Sequence, residues 1–329
     1  MAKDLTRRHF IGGAVAAAAA AQSAAAAAKT ALPTRVLGRT GAKPSILALG
    51  CGSRLLSYGQ EDKAVEAINL ALDSGITYVD TAQSYGNGKS ETWVGKVMKH
   101  RRQGIFLATK IQSRNADEAM KRFEESLRLL NTDHVDLAHI HGLMDDGDLA
   151  AIEAKGGVLE TMHKIRDQKM ARFIGVTCHH DPVVLAKALE RHDFDCTQMA
   201  LNAALQGMQN GKGKMVVNPA MPMSFETVAL PVAKKKNMGV IAMKVFGQED
   251  LVGGKNGQAT VGKLLQYSLS LPVAVAVAGM PQLDFIRQDT VLARNFKPMP
   301  KAEMKTFSEE MAAAYKAALD RKFAHHIDA

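Results

Sequence analysis

The sequence predicts a closed (β/α)8 barrel with a short N-terminal β-hairpin in front of it and one extra helix behind it. Three observations lead there. Short β-branched runs alternate strictly with helical patterns, which calls for a parallel sheet. Eight such units fit within about 270 residues, the usual size of a closed barrel. No GxGxxG follows a strand, so the usual mark of an open dinucleotide-binding sheet is missing.

The elements follow in order. "TRVLGRTGAKPSILALGCG" holds two short runs broken by Gly38 and "TG", a hairpin leading into the first strand. "DKAVEAINLALDSG" sets Val65, Ile68 and Leu72 on one helical face and stops at Gly75. "ITYVD" is strand two, a helix follows near residues 90 to 99, and "IFLAT" is strand three. In "NADEAMKRFEESLRLL", Asn115 and Glu118 form an N-cap pair, and Met120, Phe123, Leu127 and Leu130 line one face. "HVDLAHI", "ARFIGV", "CTQMAL", "GVIAM" and "VAVAVAG" supply strands four to eight. The intervening helices lie near 157 to 168, in "DPVVLAKALERH", in "SFETVALPVAKKK" with Pro231 as a kink, and over 258 to 270. In the tail, Met304, Phe307, Met311, Tyr315 and Ala318 recur at helical spacing, so residues 301–329 read as a helical extension on a barrel formed by 31–300.

Residues 1–30 form a separate unit. "TRRHF" with Arg7 and Arg8, then an Ala-rich run with small-residue cleavage positions, resembles a twin-arginine export signal, cleaved on export. That reading places the mature chain in the periplasm or otherwise outside the cytoplasm, with the twin-arginine export machinery as a partner. No run of mixed Leu, Ile, Val and Phe is long enough to anchor the mature chain in a membrane. The formal charge is +9, and removing the four cations and one anion of residues 1–30 leaves +6. This excess suits an anionic small molecule better than nucleic acid, because it is not clustered into a long basic run and "KKK" at 234 to 236 reads as a solvated helix end. Cys51, Cys178 and Cys196 make no CxxC and no metal spacing.

Active sites of such barrels lie at the C-terminal ends of the strands. Those ends carry Asp80 with Tyr85 beyond it, Lys110, His139 and His141, Thr177 with His179 and His180, Gln198 and Asn202, and Lys244. An acid, a phenol, an ammonium and an imidazole at one mouth can move a proton at a carbonyl. A phenol titrates near 10 and donates poorly near neutrality, but an ammonium within about 4 to 6 Å stabilises its anion. A carboxylate keeps that ammonium charged and placed, while the imidazole holds the substrate oxygen.

The segments "RVLGRTGAKPSILALGCG", "GITYVDTAQSYGNGKSE", "ATK", "SLRLLNTDHVDLAHIHG", "ARFIGVT" and "GVIAMKVFG" resemble the aldo-keto reductases over nearly the whole chain after residue 34. The resemblance implies a TIM barrel, reduction of an aldehyde or ketone (or oxidation of the alcohol), and a catalytic tetrad of Asp80, Tyr85, Lys110 and His141. It implies that a nicotinamide dinucleotide is held by Thr177, Cys178 (where Asn is usual), Gln198, Met243, Lys244 and Phe246. Gly279, Arg287 and Asp289 match the adenosine-phosphate region, although Asn is more usual at position 289. Arg287 favours NADP(H), with NAD(H) left open. Some relatives carry a cysteine-rich iron–sulfur extension; this tail has no Cys, so no cluster is expected. Residues 206–226 and "FGQEDLVGGKNG" read as substrate or cofactor lids.

Other chemistries remain open at this stage. Lys110 suits a Schiff-base aldolase, and "HIH" with His179 suits a metal-dependent hydrolase. A dinucleotide-binding sensor or partner subunit would keep the barrel and lose turnover.

Overall fold

The computed structural model describes residues 31–211, 214–216, 223–253 and 257–323. The export signal read in residues 1–30, much of the lid at 206–226 and the end of the tail lie outside the described residues. Eight parallel strands close on themselves: β1 (Leu47–Gly50), β2 (Tyr78–Asp80), β3 (Phe106–Ile111), β4 (Val135–Ile140), β5 (Ala171–Cys178), β6 (Cys196–Ala200), β7 (Gly239–Met243) and β8 (Val275–Ala278). Each pairs with its sequence neighbours, and β1 pairs with both β2 and β8. A small antiparallel pair, Gln209–Gly211 with Lys214–Val216, stands outside the barrel. β3 and β4 are buried along their whole length, which is why they read as near-continuous apolar runs and not as alternating ones.

The helices are α1 (Ser53–Leu56), α2 (Glu61–Asp73), α3 (Lys89–Arg101), α4 (Ala116–Leu129), α5 (Asp146–Glu153), α6 (Val158–Asp167), α7 (Pro182–Arg191), α8 (Ala229–Lys235), α9 (Val261–Ser270), α10 (Leu283–Arg294) and α11 (Lys301–Phe323). Their starts follow local chemistry. Asn115 accepts the Glu118 amide at 3.0 Å as expected, and Asp181 caps α7, with Pro182 at the first helical position. Each such cap contributes about 1 kcal/mol. Helix α2 ends where predicted, with Gly75 at φ 99° turning the chain towards β2. Val94, Phe123 and Ile165 are among the helix residues that meet the outer strand faces in the main core. Inside the barrel, Tyr78, Phe106 and Leu137 form a second apolar layer with Phe173, below the mouth.

Four expectations need correction. The N-terminal hairpin is shorter than expected: a single Thr34–Ser45 bridge with one further backbone bond, Leu37 to Ala42, around a 3-10 turn, because Gly38–Thr40 curl before a ladder can form. Pro231 does not kink a helix: α8 begins at Ala229, so the missing Pro N–H falls in the first turn, where it costs nothing. Lys236 is not merely solvated, since its ammonium binds the carbonyls of Leu189 and His192 at 2.6 and 2.8 Å and closes the end of α7. In α11 the fully buried face passes from Phe307 and Met311 to Lys316, Leu319, Asp320 and Phe323; Tyr315 packs against the core only in part, and Ala318 is exposed.

Candidate active site

The carboxyl ends of β2, β3 and β4 bring three of the four expected catalytic side chains into direct contact. Lys110 extends along the barrel interior, with its side chain 1% exposed. Its ammonium donates to Asp80 Oδ1 at 2.6 Å, to the Thr81 carbonyl at 2.8 Å and to Tyr85 Oη at 3.2 Å. All three N–H bonds are therefore committed. The Tyr85 ring meets the His141 ring edge-on, with centroids 5.6 Å apart. The loop "TAQSYG" turns tightly enough after β2 to return the phenol to the axis, helped by the Tyr85 amide bonding the Ala82 carbonyl.

His141 is held from two sides. Ser84 Oγ lies 3.3 Å from its Nδ1. Arg114 grips Asp148 through two nitrogens at 2.7 and 2.8 Å and donates to the carbonyls of His141 and Gly142 at 3.0 and 3.1 Å. The guanidinium thus ties the turn after β4 to the start of α5. Arg114→Ala is expected to lower turnover on the order of tenfold through a displaced imidazole, with dinucleotide affinity unchanged; steady-state kinetics beside a binding titration check this. Neither Ser84 nor Arg114 was foreseen, because nothing in a loop Arg announces which backbone it will hold.

Behind Lys110, Glu91 is fully buried and accepts the Thr109 hydroxyl at 2.5 Å. Burial pushes its carboxyl up to about 7, against the favourable Thr109 bond and the nearby Lys110 charge. A carboxyl raised in the folded state destabilises as pH rises. The effect begins at the unfolded value near 4.5 and is complete once the folded group ionises near 7. It amounts to about 3 kcal/mol. Glu91→Gln, which keeps an acceptor for Thr109, should therefore gain stability relative to wild type between pH 4.5 and 7 and hold that gain above it. Denaturant midpoints across this range measure it.

A cleft opens above the tetrad, lined by Gly50, Gly52, Arg54, Asp80, Tyr85, Gln198, Met243, Lys244, Phe246, Gln248, Glu249 and Gly279. Five of the expected cofactor residues are therefore together: Gln198, Met243, Lys244, Phe246 and Gly279. Its walls are cut close to the backbone. A Cβ at Gly50 would stand 3.0 Å from Val277, and one at Gly279 would stand 2.6 Å from Arg54. Among the described residues, Gln198 Oε1 is buried without a hydrogen-bond partner. An unpaired carbonyl acceptor over a narrow groove suits the carboxamide N–H of a nicotinamide, and the glycines leave room for a flat ring and a phosphate chain. The residues present fit the dinucleotide.

The other expected cofactor residues stand elsewhere. Thr177 faces the same interior as Gln198, its partner in register, but its hydroxyl accepts the Gly142 amide at 2.8 Å. Cys178 points out of the barrel, with its thiol on the Leu143 and Asp181 carbonyls, because neighbouring strand residues face opposite ways. It cannot line the cleft as expected. Arg287 lies exposed on α10 in an ion pair with Asp284 at 2.7 Å. Asp289 is buried at 3% exposure, and desolvation pushes its carboxyl up to about 7. Arg54, missed in the sequence, spans the rim: it bonds the Gln248 carbonyl at 3.0 Å and Glu249 at 3.2 Å.

The geometry also bears on the competing chemistries. An amine donating to three acceptors is an ammonium, so Lys110 is no free nucleophile for a Schiff base. Among the described residues no group of three His, Cys, Asp or Glu side chains converges as a metal site requires. The three cysteines are free and buried, and no described helix is long and apolar enough to cross a membrane.

The molecule thus falls in the class of closed parallel barrels that carry a cluster of polar side chains, here a carboxylate, an amine and a phenol, at the carboxyl ends of the strands. Comparison with known proteins narrows it: a sequence model of the Aldo/keto reductase family matches residues 48–272, and the chain belongs to that family. Aldo-keto reductase YhdN of Bacillus subtilis (strain 168) is 34% identical over 153 residues, which is 42% of this chain and 44% of that protein. Uncharacterized oxidoreductase YqkF of the same organism is 26% identical over 316 residues, covering 86% of this chain and 98% of its own. The chain thus aligns with less than half of the first relative and nearly all of the second. The crystal structure of an aldo-keto reductase from Klebsiella pneumoniae in complex with NADPH superposes with a TM-score of 0.66 at 20% identity, covering 87% of this chain and 97% of that one. At that identity the likeness concerns the fold.

Proposed function

We propose that the protein is an NAD(P)H-dependent oxidoreductase that reduces a small aldehyde or ketone, or oxidises the alcohol, with Tyr85 as general acid and base. The observation that carries this reading is the buried ammonium of Lys110, bonded at once to Asp80 and to the Tyr85 hydroxyl. A cation against the phenol oxygen favours the phenolate left after proton donation. Asp80 fixes the ammonium, and His141, edge-on to Tyr85, holds the substrate oxygen in line for the proton. Gln198 would bind the carboxamide, and Met243, Lys244 and Phe246 would flank the rest of the cofactor in the cleft. The dinucleotide, when bound, supplies or accepts the hydride at the carbonyl carbon. Fluorescence titration with NADPH and NADH, followed by turnover of a panel of small aldehydes and ketones, tests the reading. Tight binding without turnover of any carbonyl would favour a sensor subunit instead.

Two finer points belong to the same proposal. NADP(H) is the preferred cofactor, supported by the excess of basic residues, and the ratio of the two dissociation constants decides it. Export by the twin-arginine route rests on "TRRHF". Replacing Arg7 and Arg8 by Lys is expected to retain the protein in the cytoplasm, as cell fractionation would show.

A further inference from the structure

Two polar side chains inside the barrel have no part in the site described above. Tyr78 stands on β2 two residues before Asp80, its ring stacked on Phe106 with centroids 4.9 Å apart. His139 stands on β4 in register with Lys110, two residues before His141. Both are fully buried. Among the described residues, neither the Tyr78 hydroxyl nor either ring nitrogen of His139 has a hydrogen-bond partner. Leaving such groups unpaired is costly, and Phe and Leu would fill the same space without that penalty.

The fold nevertheless makes room for them. A Cβ at Gly175 would fall 2.6 Å from His139 Nδ1, so β5 gives up a side chain to seat the imidazole. Tyr78 and Asp80 share the inward side of β2, two residues apart, and His139 is in register with Lys110, whose ammonium binds Asp80. Both orphan side chains therefore lie on the barrel interior beside the Asp80–Lys110 pair. Asp80 closes this corner from above: Oδ1 takes the Lys110 ammonium, while Oδ2 has no partner among the described residues. Lys110 has no N–H left to offer, so the partner of this corner is not the lysine. Burial, with Lys110 and His141 nearby, holds His139 well below the usual imidazole range. It is neutral, with one nitrogen to donate and one to accept.

We propose that the barrel holds an internal water site beneath the tetrad, bounded by the Tyr78 hydroxyl, the His139 imidazole and Asp80 Oδ2. Through it, His139 acts as a positioning residue for the proton transfer of Tyr85. Three polar partners are what a buried water requires. A water held by a neutral imidazole donates to Asp80 and blunts its charge, leaving more of the Lys110 field for the phenol. The role in proton transfer rests on the function proposed above; the water site itself does not. The other titratable groups on the interior around this corner are Lys110 from β3, His141 from β4, Tyr85 from the loop after β2 and Cys196 from β6; Cys51 and Asp136 face the outer side of the wall, where Asp136 pairs with Arg102 and Arg172. Burial holds both thiols above their usual range, so they stay neutral.

A high-resolution crystal structure of the NADPH complex is expected to show water within about 2.7–3.2 Å of His139 and of Tyr78 Oη or Asp80 Oδ2; a dry corner would overturn the site. In His139→Leu, the pH midpoint of alcohol oxidation is expected to rise by about one unit, because an unsolvated Asp80 disfavours the Tyr85 phenolate. NADPH affinity should not change. His139→Gln, whose amide can hold the same water, should restore most of the profile, and Tyr78→Phe should give a smaller shift of the same sign. A His139→Leu profile superimposing on wild type would overturn the positioning role. If no carbonyl is turned over at all, the reductase reading fails, and the crystallographic water still decides the site.

Discussion

Tyr85→Phe is expected to lower carbonyl reduction by about a thousandfold while NADPH still binds with its wild-type affinity. The substitution removes one oxygen and leaves the ring against His141 and Gly52. What is lost is the proton donor, and a placed general acid is worth about 10² to 10⁴ in rate. Binding survives because most of the cleft is built by the glycines, Gln198 and the residues at and after the end of β7, which the substitution leaves in place. Stopped-flow turnover and fluorescence titration separate the two quantities. Retained full activity would mean that the proton comes from elsewhere.

Lys110→Met should be the most damaging change, because it acts on rate and on stability together. The thioether fills the space of the alkyl stem, yet Asp80 is left as a buried carboxylate without its cation. Breaking a buried pair in this way costs about 3–5 kcal/mol. Turnover should fall at least as far as in Tyr85→Phe, since the phenol loses the charge that favours its anion. The double substitution Asp80→Asn with Lys110→Met distinguishes the effects. It removes the orphan charge, so denaturant stability should recover in large part while turnover does not. Recovery of both would show the ion pair to be structural only.

The barrel and the tetrad were legible in the sequence for one reason. Strand-to-helix alternation fixes where each strand ends, and the ends fix where polar side chains meet. Strand-end positions put Asp80, Lys110 and Tyr85 among the polar residues at the mouth, and the family resemblance singled them out together with His141. Contacts that depend on a partner far away in sequence stayed hidden. Arg54 reaches Glu249 across the mouth, and Arg114 finds the His141 carbonyl, with no motif to mark either. Strand parity hid another distinction. Thr177 and Cys178 are neighbours in sequence, but one faces the interior with Gln198 and the other faces the helices. Asp289 is the hardest case, since a helix carboxylate gives no sign in sequence that it will be buried. The tail misled for a related reason. Its apolar stripe implied that Tyr315 and Ala318 continue the buried face, whereas Tyr315 is only half-buried, Ala318 is exposed, and charged Lys316 and Asp320 turn inwards as a pair.

That pair has a practical consequence. Lys316 binds the carbonyls of Leu205 and Gly207 at 2.7 Å each, and Asp320 accepts the Gly207 amide at 3.1 Å, which fastens α11 to the segment after β6. Phe323 then packs edge-on against His179 and under the Lys244 ammonium, itself a cleft residue. A purification handle fused to the C-terminus joins the chain downstream of Phe323, a residue packed beside the entrance. Kinetic work on this protein is better done with the handle removed by a protease.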